Sequence, residues 1–271
     1  MRSSSLPVLL AGAFPLIVAC TGSVGTIAPP VPAGPPSVPP TPAAAPVVPA
    51  AAPVREFPAE LLDLADWSLT LPTGEEGSPD EVRQPELATY RDAWFRVDDA
   101  GTGVAFTANA GGVTTENSNY PRSELRERTG EERAAWSNTD GVHVLSVRQA
   151  VTALPTAKPD VVTAQIHDDE DDVVEIRLEG SRLLAEYDDG DGSVELDPDY
   201  RLGTPYDLQI VAADGRVRVS YNGGQAADLP LSGDDWYFKV GSYVQSNPER
   251  GEAPDAVGTV VVTGLRVTHE Q

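Results

Sequence analysis

From Glu56 onward, apolar and polar residues alternate in short runs broken by Gly, Asp, Asn and Pro, a period of two that predicts strands. The runs fall at 67–71, 93–97, 103–108, 122–128, 142–151, 161–167, 173–178, 182–187, 206–212, 216–221, 236–245 and 258–268. Between them sit turn sequences such as Asp214-Gly215 and Asn222-Gly223-Gly224, residue types that accept the backbone of tight hairpins. One brief helix is expected over 58–65, with Pro58 at an early helical position and Leu61, Leu62 and Ala65 on one side. Many strands without interleaved helices imply a single all-β domain, a sandwich or barrel, and a two-sheet jelly roll is the first expectation. No repeat of fixed period is evident, which argues against a propeller or solenoid.

Because alternate side chains of a strand share a face, three runs stand out. In 122–128, Arg122, Glu124, Arg126 and Arg128 fall on one side, opposite Ser123, Leu125 and Glu127. Such a row of guanidinium groups suits either bidentate recognition of carboxylates or cross-strand ion pairing on a solvated surface. In 161–167, Gln165 and His167 share a face, a polar pair that a packed core would not readily accept. In 236–245, Tyr237, Lys239, Gly241, Tyr243 and Gln245 line one face, while Phe238, Val240, Ser242 and Val244 line the other. Glycine in a strand is often found where a ligand approaches the backbone, which points to a binding face around Gly241. His143 and His269 lack polar company of this kind and are read as structural or surface residues.

Composition divides the chain before this region. Eleven of the 25 prolines crowd a stretch after residue 28 that carries no charge or aromatic ring until Arg55, so 21–55 reads as a semi-extended Pro/Ala-rich spacer. Upstream, Arg2 precedes an apolar run over 6–19, too short to span a bilayer but suited to a signal peptide. Its end, Leu16-Ile17-Val18-Ala19-Cys20, resembles a bacterial lipobox, which implies a signal peptide over 1–20 and a diacylglycerol on the Cys20 thiol. The expected product is an exported protein, anchored to the membrane at the cell surface or simply secreted. Its working domain is 56–271.

A formal charge of −23 excludes nucleic acid as a partner unless a basic face outweighs it, and none is evident. The same charge sets a condition on any polyanionic substrate: a local basic groove must exist, since exposed charges more than about 10 Å apart are largely screened. The acidic runs over 168–172 and 188–192 lack the twelve-residue calcium loop pattern and are expected as solvated loops, with no metal bound.

Taken in order, Arg122-Ser-Glu-Leu-Arg126, Gln165-Ile-His167 and Tyr237-Phe-Lys-Val-Gly-Ser-Tyr-Val-Gln245 resemble polysaccharide lyase family 7, the alginate lyases. Members of that family carry Arg-(Ser/Thr)-Glu-(Leu/Val)-Arg, Gln-(Ile/Val)-His and Tyr-Phe-Lys-Ala-Gly-x-Tyr-x-Gln in this sequence order. Val240 replaces the usual alanine, on the face expected to point inward. Leu64-Ala-Asp-Trp-Ser-Leu-Thr-Leu-Pro72 and Tyr120-Pro121 extend the likeness over most of the chain from residue 57. The resemblance implies a β-jelly roll of two curved antiparallel sheets whose concave face holds the sugar chain. It implies endolytic β-elimination of alginate, leaving a 4,5-unsaturated uronate at the new non-reducing end, without a cofactor and in a monomer. Arg122 and Gln165 match the residues that neutralise the uronate carboxylate. Tyr243 matches the proton donor to the leaving oxygen and the base for one C5 epimer, and His167 the base for the other. Glu124, Arg126, Tyr237, Lys239 and Gln245 are expected to hold neighbouring sugars. The alternatives are a lyase for another polyuronate such as glucuronan and a catalytically silent carbohydrate-binding module.

Overall fold

The computed structural model describes residues 55–188 and 190–270, together with Gly25, Pro30 and Gly34. The signal segment, Cys20 and nearly all of the proline spacer lie outside the described residues, as does Asp189 of the second acidic run. Among the described residues the alternating runs pair into two antiparallel sheets of nine and seven strands. The first holds β1 (Trp67–Glu75), β2 (Ser78–Val82), β5 (Arg122–Thr129), β6 (Glu132–Arg133), β8 (Asp160–His167), β9 (Asp172–Glu179), β10 (Arg182–Tyr187), β11 (Gly192–Asp197) and β15 (Tyr237–Val244). The second holds β3 (Phe95–Val97), β4 (Val104–Asn109), β7 (Val142–Ala153), β12 (Tyr206–Ala213), β13 (Arg216–Tyr221), β14 (Gly224–Leu229) and β16 (Val257–Glu270).

The order in the first sheet is β11-β10-β9-β8-β15-β5-β1-β2, with β6 paired to β5; in the second it is β14-β13-β12-β7-β16-β4-β3. Strands distant in sequence thus become neighbours, as the expected jelly roll requires. The hairpins carry the turn chemistry read from the sequence. Asp214 and Gly215 (φ 54° and 67°) join β12 to β13, and Asn222 and Gly223 (φ 50° and 79°) join β13 to β14. Consecutive positive φ values are those of type I′ turns, whose twist matches that of the strands.

Between the sheets lies one apolar core, to which the first contributes Leu125, Ile166, Phe238 and Val240 and the second Phe106, Leu145, Ile210 and Val260. Val240 is fully buried, as its inward position predicted. Polar residues on the same inward faces tie the layers together. Ser123 Oγ donates to the Trp94 carbonyl and Ser242 Oγ to that of Gly258, each at 2.9 Å. Glu127 accepts from the Phe238 amide at 2.8 Å, Trp136 Nε1 at 3.0 Å and His269 Nε2 at 2.6 Å, and His269 meets His143 through their Nδ1 atoms at 2.7 Å. His143 is buried and His269 exposed, and both hold structural contacts.

Two expectations are corrected. The helix over 58–65 is reduced to a 3₁₀ turn, Pro58–Glu60. The chain buries Leu62 and Leu64, two residues apart, and leaves Ala65 exposed, a spacing that extended chain satisfies and a helix does not. Gly241 does not mark an approach of ligand to backbone: a Cβ there would lie 2.4 Å from the Ser123 carbonyl oxygen and 2.7 Å from Glu124 Cα. With φ at 156°, the glycine lets β15 close against β5 and thereby sets the distance between the two strands.

Candidate active site

β5, β15 and β8 are adjacent, so residues of equal parity form rows on the outer face of the first sheet. Lys239 stands between Arg126 and Gln165, Tyr243 is opposite Arg122, and Tyr237 is opposite His167. These seven residues line a cleft of about 340 Å³, together with Ser118, Arg133 and residues of the loop joining β8 to β9. Four cations, Arg122, Arg126, Arg133 and Lys239, face this space from β5, β6 and β15, while Glu116 and Asp169 to Asp172 line it from the loops and the start of β9, so the basic patch that a polyanion requires is confined to those three strands. On the rim, Asp168 Oδ1 accepts from the amides of Glu170 and Asp171 at 2.8 Å each, so the acidic run closes its own turn while Asp169 and Glu170 remain exposed.

Glu124 lies beneath the floor. Its side chain has no exposed surface, and its carboxylate receives Gln165 Nε2 at 2.5 Å, Lys239 Nζ at 2.8 Å and Arg122 Nη1 at 3.2 Å. Burial drives its proton affinity up, but Lys239 and Arg122 outweigh burial and hold the carboxyl below the usual carboxylate range. Glu124 was expected among the sugar contacts; full enclosure rules that out, and it instead orients the three donors above it. Lys239, enclosed and facing Arg122, is pushed down to about 8 despite Glu124.

Two guanidinium groups lie over phenol rings: Arg122 Cζ is 3.7 Å from the Tyr243 centroid and Arg126 Cζ 3.8 Å from that of Tyr237. Such stacking restrains both partners while leaving the guanidinium edges free to bind anions. The Tyr243 hydroxyl lies 2.9 Å from Ser118 Oγ. Burial raises the Tyr243 phenol, against the pull of Arg122 and the hydrogen bond to Ser118, so the group holds its proton at neutral pH. Gln245, also expected to touch sugar, is buried, and its Nε2 has no hydrogen-bond partner among the described residues.

His167 Nδ1 lies 2.5 Å from the Asp168 carbonyl oxygen and 3.0 Å from the Tyr237 hydroxyl. A carbonyl only accepts, so in the neutral ring Nδ1 carries the hydrogen and Nε2 keeps its lone pair. Burial, then Lys239, depresses the ring to about 4, which leaves it neutral across the physiological range. Tyr237 is pushed up to about 12 by burial and stays a neutral phenol. The site therefore combines fixed cations, a neutral imidazole with a free lone pair and a neutral phenol.

Reading the residues by strand parity missed Ser118 and Arg133. Ser118 sits in a loop of small polar residues without periodicity, and Arg133 belongs to the two-residue β6, too short to show a face.

Residues 62–269 match a family model described as alginate lyase, Alginate_lyase2. Among solved structures, the alginate lyase AlgAT5 from polysaccharide lyase family 7 is 45% identical with a TM-score of 0.77, the match covering 79% of this chain and 99% of that one. The alginate lyase from Corynebacterium sp. is 42% identical with a TM-score of 0.78, covering 80% of this chain and all of the other. A curated alginate lyase from Klebsiella pneumoniae is 39% identical over 75 residues, 26% of this chain; the match spans 24% of that relative's length.

Proposed function

Since the chain belongs to the alginate lyase family of polysaccharide lyase family 7, we propose that it depolymerises alginate by endolytic β-elimination, with Arg122, Gln165, His167 and Tyr243 as the reacting set. The observation that carries this reading is the convergence, on three adjacent strands, of anchored cations with a neutral imidazole and a neutral phenol. A polyuronate needs this combination, because its carboxylate must be held while one proton leaves C5 and another reaches the oxygen on C4.

The developing enolate-like charge falls on the carboxylate attached to C5. Arg122 and the second N–H of Gln165 are the donors for it, and a donor of this kind is worth about 3 kcal/mol in comparable oxyanion sites. For one C5 epimer, His167 Nε2 takes the proton, the C5–H electrons form the C4=C5 bond, the C4–O bond breaks, and Tyr243 protonates the departing oxygen. For the other epimer Tyr243 acts as base from the same side, but only once its phenol has released its own proton to solvent, a step that Arg122 favours and burial opposes. The proton it takes from C5 is then the one it returns to the leaving group.

The test is ultraviolet absorbance during incubation of the purified domain with mannuronate-rich and guluronate-rich alginate, beside glucuronan. The conjugated C4=C5 product is expected with alginate; product from glucuronan alone would keep the chemistry and replace the substrate, and no product from any polymer would leave a binding module.

A pH limb follows from His167. Its ring is neutral above about 4 and takes up a proton below, so turnover that uses this base is expected to fall as pH drops through about 4. A limb near the ordinary imidazole value of 6.5 in the kcat/KM profile would show that the ring is not depressed by its surroundings, and full turnover of the same polymer by His167→Asn would remove His167 as that base.

A further inference from the structure

On the far side of β8 from β15, β9 carries a carboxyl group that the elimination does not use. Glu175 stands opposite Gln165 in the ladder, so its side chain extends the row of Arg126, Lys239 and Gln165 along the groove face. The side chain is 9% exposed, and its ion-pair partner, Arg177 Nη1, is 4.0 Å away. That guanidinium is shared with Glu186 at 3.0 Å, Glu179 at 3.4 Å and Asp160 at 3.5 Å. No hydrogen bond reaches the Glu175 carboxyl among the described residues.

The groups around it are mostly acidic. Asp172 and Arg177 belong to its own strand, Glu186 faces it from β10, Glu124 from β5 and Tyr243 from β15. β8 contributes the uncharged Gln165 and, one pair further along, His167, neutral at physiological pH. A carboxylate enclosed in this setting without its own counter-charge is costly, and the group responds by keeping its proton. Burial, then Asp172, pushes Glu175 up to about 8 against the pull of Arg177.

We propose that Glu175 is a specificity-determining residue of the groove, whose carboxyl O–H donates a hydrogen bond to the carboxylate of the uronate lying over β9, beside the reacting sugar. The inference rests on the reading of this groove as a polyuronate site. The cations of the row end at Lys239 and the cleft lining stops at Gln165 and Asp172, so a chain that continues past Gln165 over β9 meets the 9% of the Glu175 side chain left exposed. An ionised glutamate there repels each uronate, whereas a carboxylic acid forms a charge-assisted hydrogen bond with it. The bond lasts only while the proton does. As pH rises through about 8, Glu175 ionises and the donor becomes a like charge. Lys239 loses its charge in the same range, so assigning the alkaline limb takes variants.

Initial rates on alginate, followed by absorbance from about pH 6 to about pH 9, separate KM from kcat for wild type, Glu175→Gln and Glu175→Ala. In the wild type KM is expected to rise about tenfold above pH 8, more than kcat falls. Glu175→Gln keeps a donor that cannot ionise: its KM at neutral pH should stay within about threefold of wild type, and most of the alkaline rise should disappear. Glu175→Ala should raise KM about tenfold already at neutral pH. A purely structural role would shift thermal unfolding without changing how KM depends on pH. If Glu175→Gln reproduces the wild-type rise, the limb belongs to Lys239 and the proposal is overturned; an unchanged KM in Glu175→Ala overturns it equally. Absence of product from the wild type would sink the functional reading instead. Titration calorimetry of a mannuronate tetramer with the same three proteins then decides the role of Glu175, and binding unaffected by either substitution, or no binding at all, overturns it.

Discussion

Tyr243→Phe is expected to lower kcat on alginate by about 10³-fold or more while leaving oligosaccharide affinity within about threefold. The substitution keeps the ring, and with it the surface on which Arg122 stacks at 3.7 Å. Arg122 in turn remains paired with Glu124, and Lys239 and Gln165 keep their places on the same carboxylate. What disappears is one hydroxyl and its contact with Ser118, whose Oγ retains its hydrogen bond to the Tyr120 carbonyl. The oxygen leaving C4 must then depart as an alkoxide or draw its proton from water. For the epimer on which Tyr243 also acts as base, both proton transfers are lost together. Absorbance assays give the rate and calorimetry with an intact tetramer gives the affinity; turnover within a few-fold of wild type would exclude the phenol from the proton path.

That separation of binding from proton transfer was partly legible in the chain. Strand parity assigned Arg122, Gln165, His167, Lys239 and Tyr243 to polar faces, because a two-residue period is a local property. It could not say that β8, β15 and β5 adjoin in that order, since their pairing joins segments far apart in the chain, as in Tyr237 with His167 and Tyr243 with Arg122. Without that order, Glu124 reads as one more polar residue of an arginine row and not as the enclosed anion beneath three donors. Gly241 misled for a related reason: local sequence shows that space is wanted, and only the neighbouring strand shows that the space is taken by the backbone of β5. Glu175 carried no motif at all, as its character comes from burial and from Asp172, with Arg177 shared among other carboxylates.

The fold shows the same division between local and distant information. Strands buried on at least one face, such as β7, β8, β12 and β15, show clear runs of Val, Ile, Leu and aromatic residues. β2, β11 and β14 did not stand out, and each is the last strand of its sheet. An edge strand has one neighbour to pair with and packs less side chain against the core, so Ser78–Val82, with its Pro, Asp and Glu, and Gly224–Leu229, opening on a glycine, read as loop. Their ladders with β1, β10 and β13 supply what their composition lacks.

Glu124→Gln should damage both stability and activity, although it changes one atom. The carboxylate now accepts from Gln165 at one oxygen and from Lys239 and Arg122 at the other. An amide offers a single acceptor, and its NH₂ must face either the cations, donor against donor, or Gln165, whose amide then has to turn over and present its oxygen. Two enclosed cations also lose their counter-charge, a change that typically costs about 3 kcal/mol when one partner of a buried pair is removed. The sign of the pH effect follows: Glu124 titrates below its ordinary 4.5 in the folded protein, so its stabilisation is present at neutral pH and fades as acid protonates it. Urea unfolding at neutral pH should therefore separate the variant from wild type widely, with the gap closing toward acid. Glu124 also raises the proton affinity of Lys239, so in the variant the ammonium, already at about 8, should titrate lower. With Lys239 holding its proton less firmly and Gln165 no longer anchored, kcat/KM is expected to fall by about 100-fold and the alkaline limb to move to lower pH. A variant as stable as wild type at neutral pH, with its limb unmoved, would show that the three donors hold their geometry without the carboxylate beneath them.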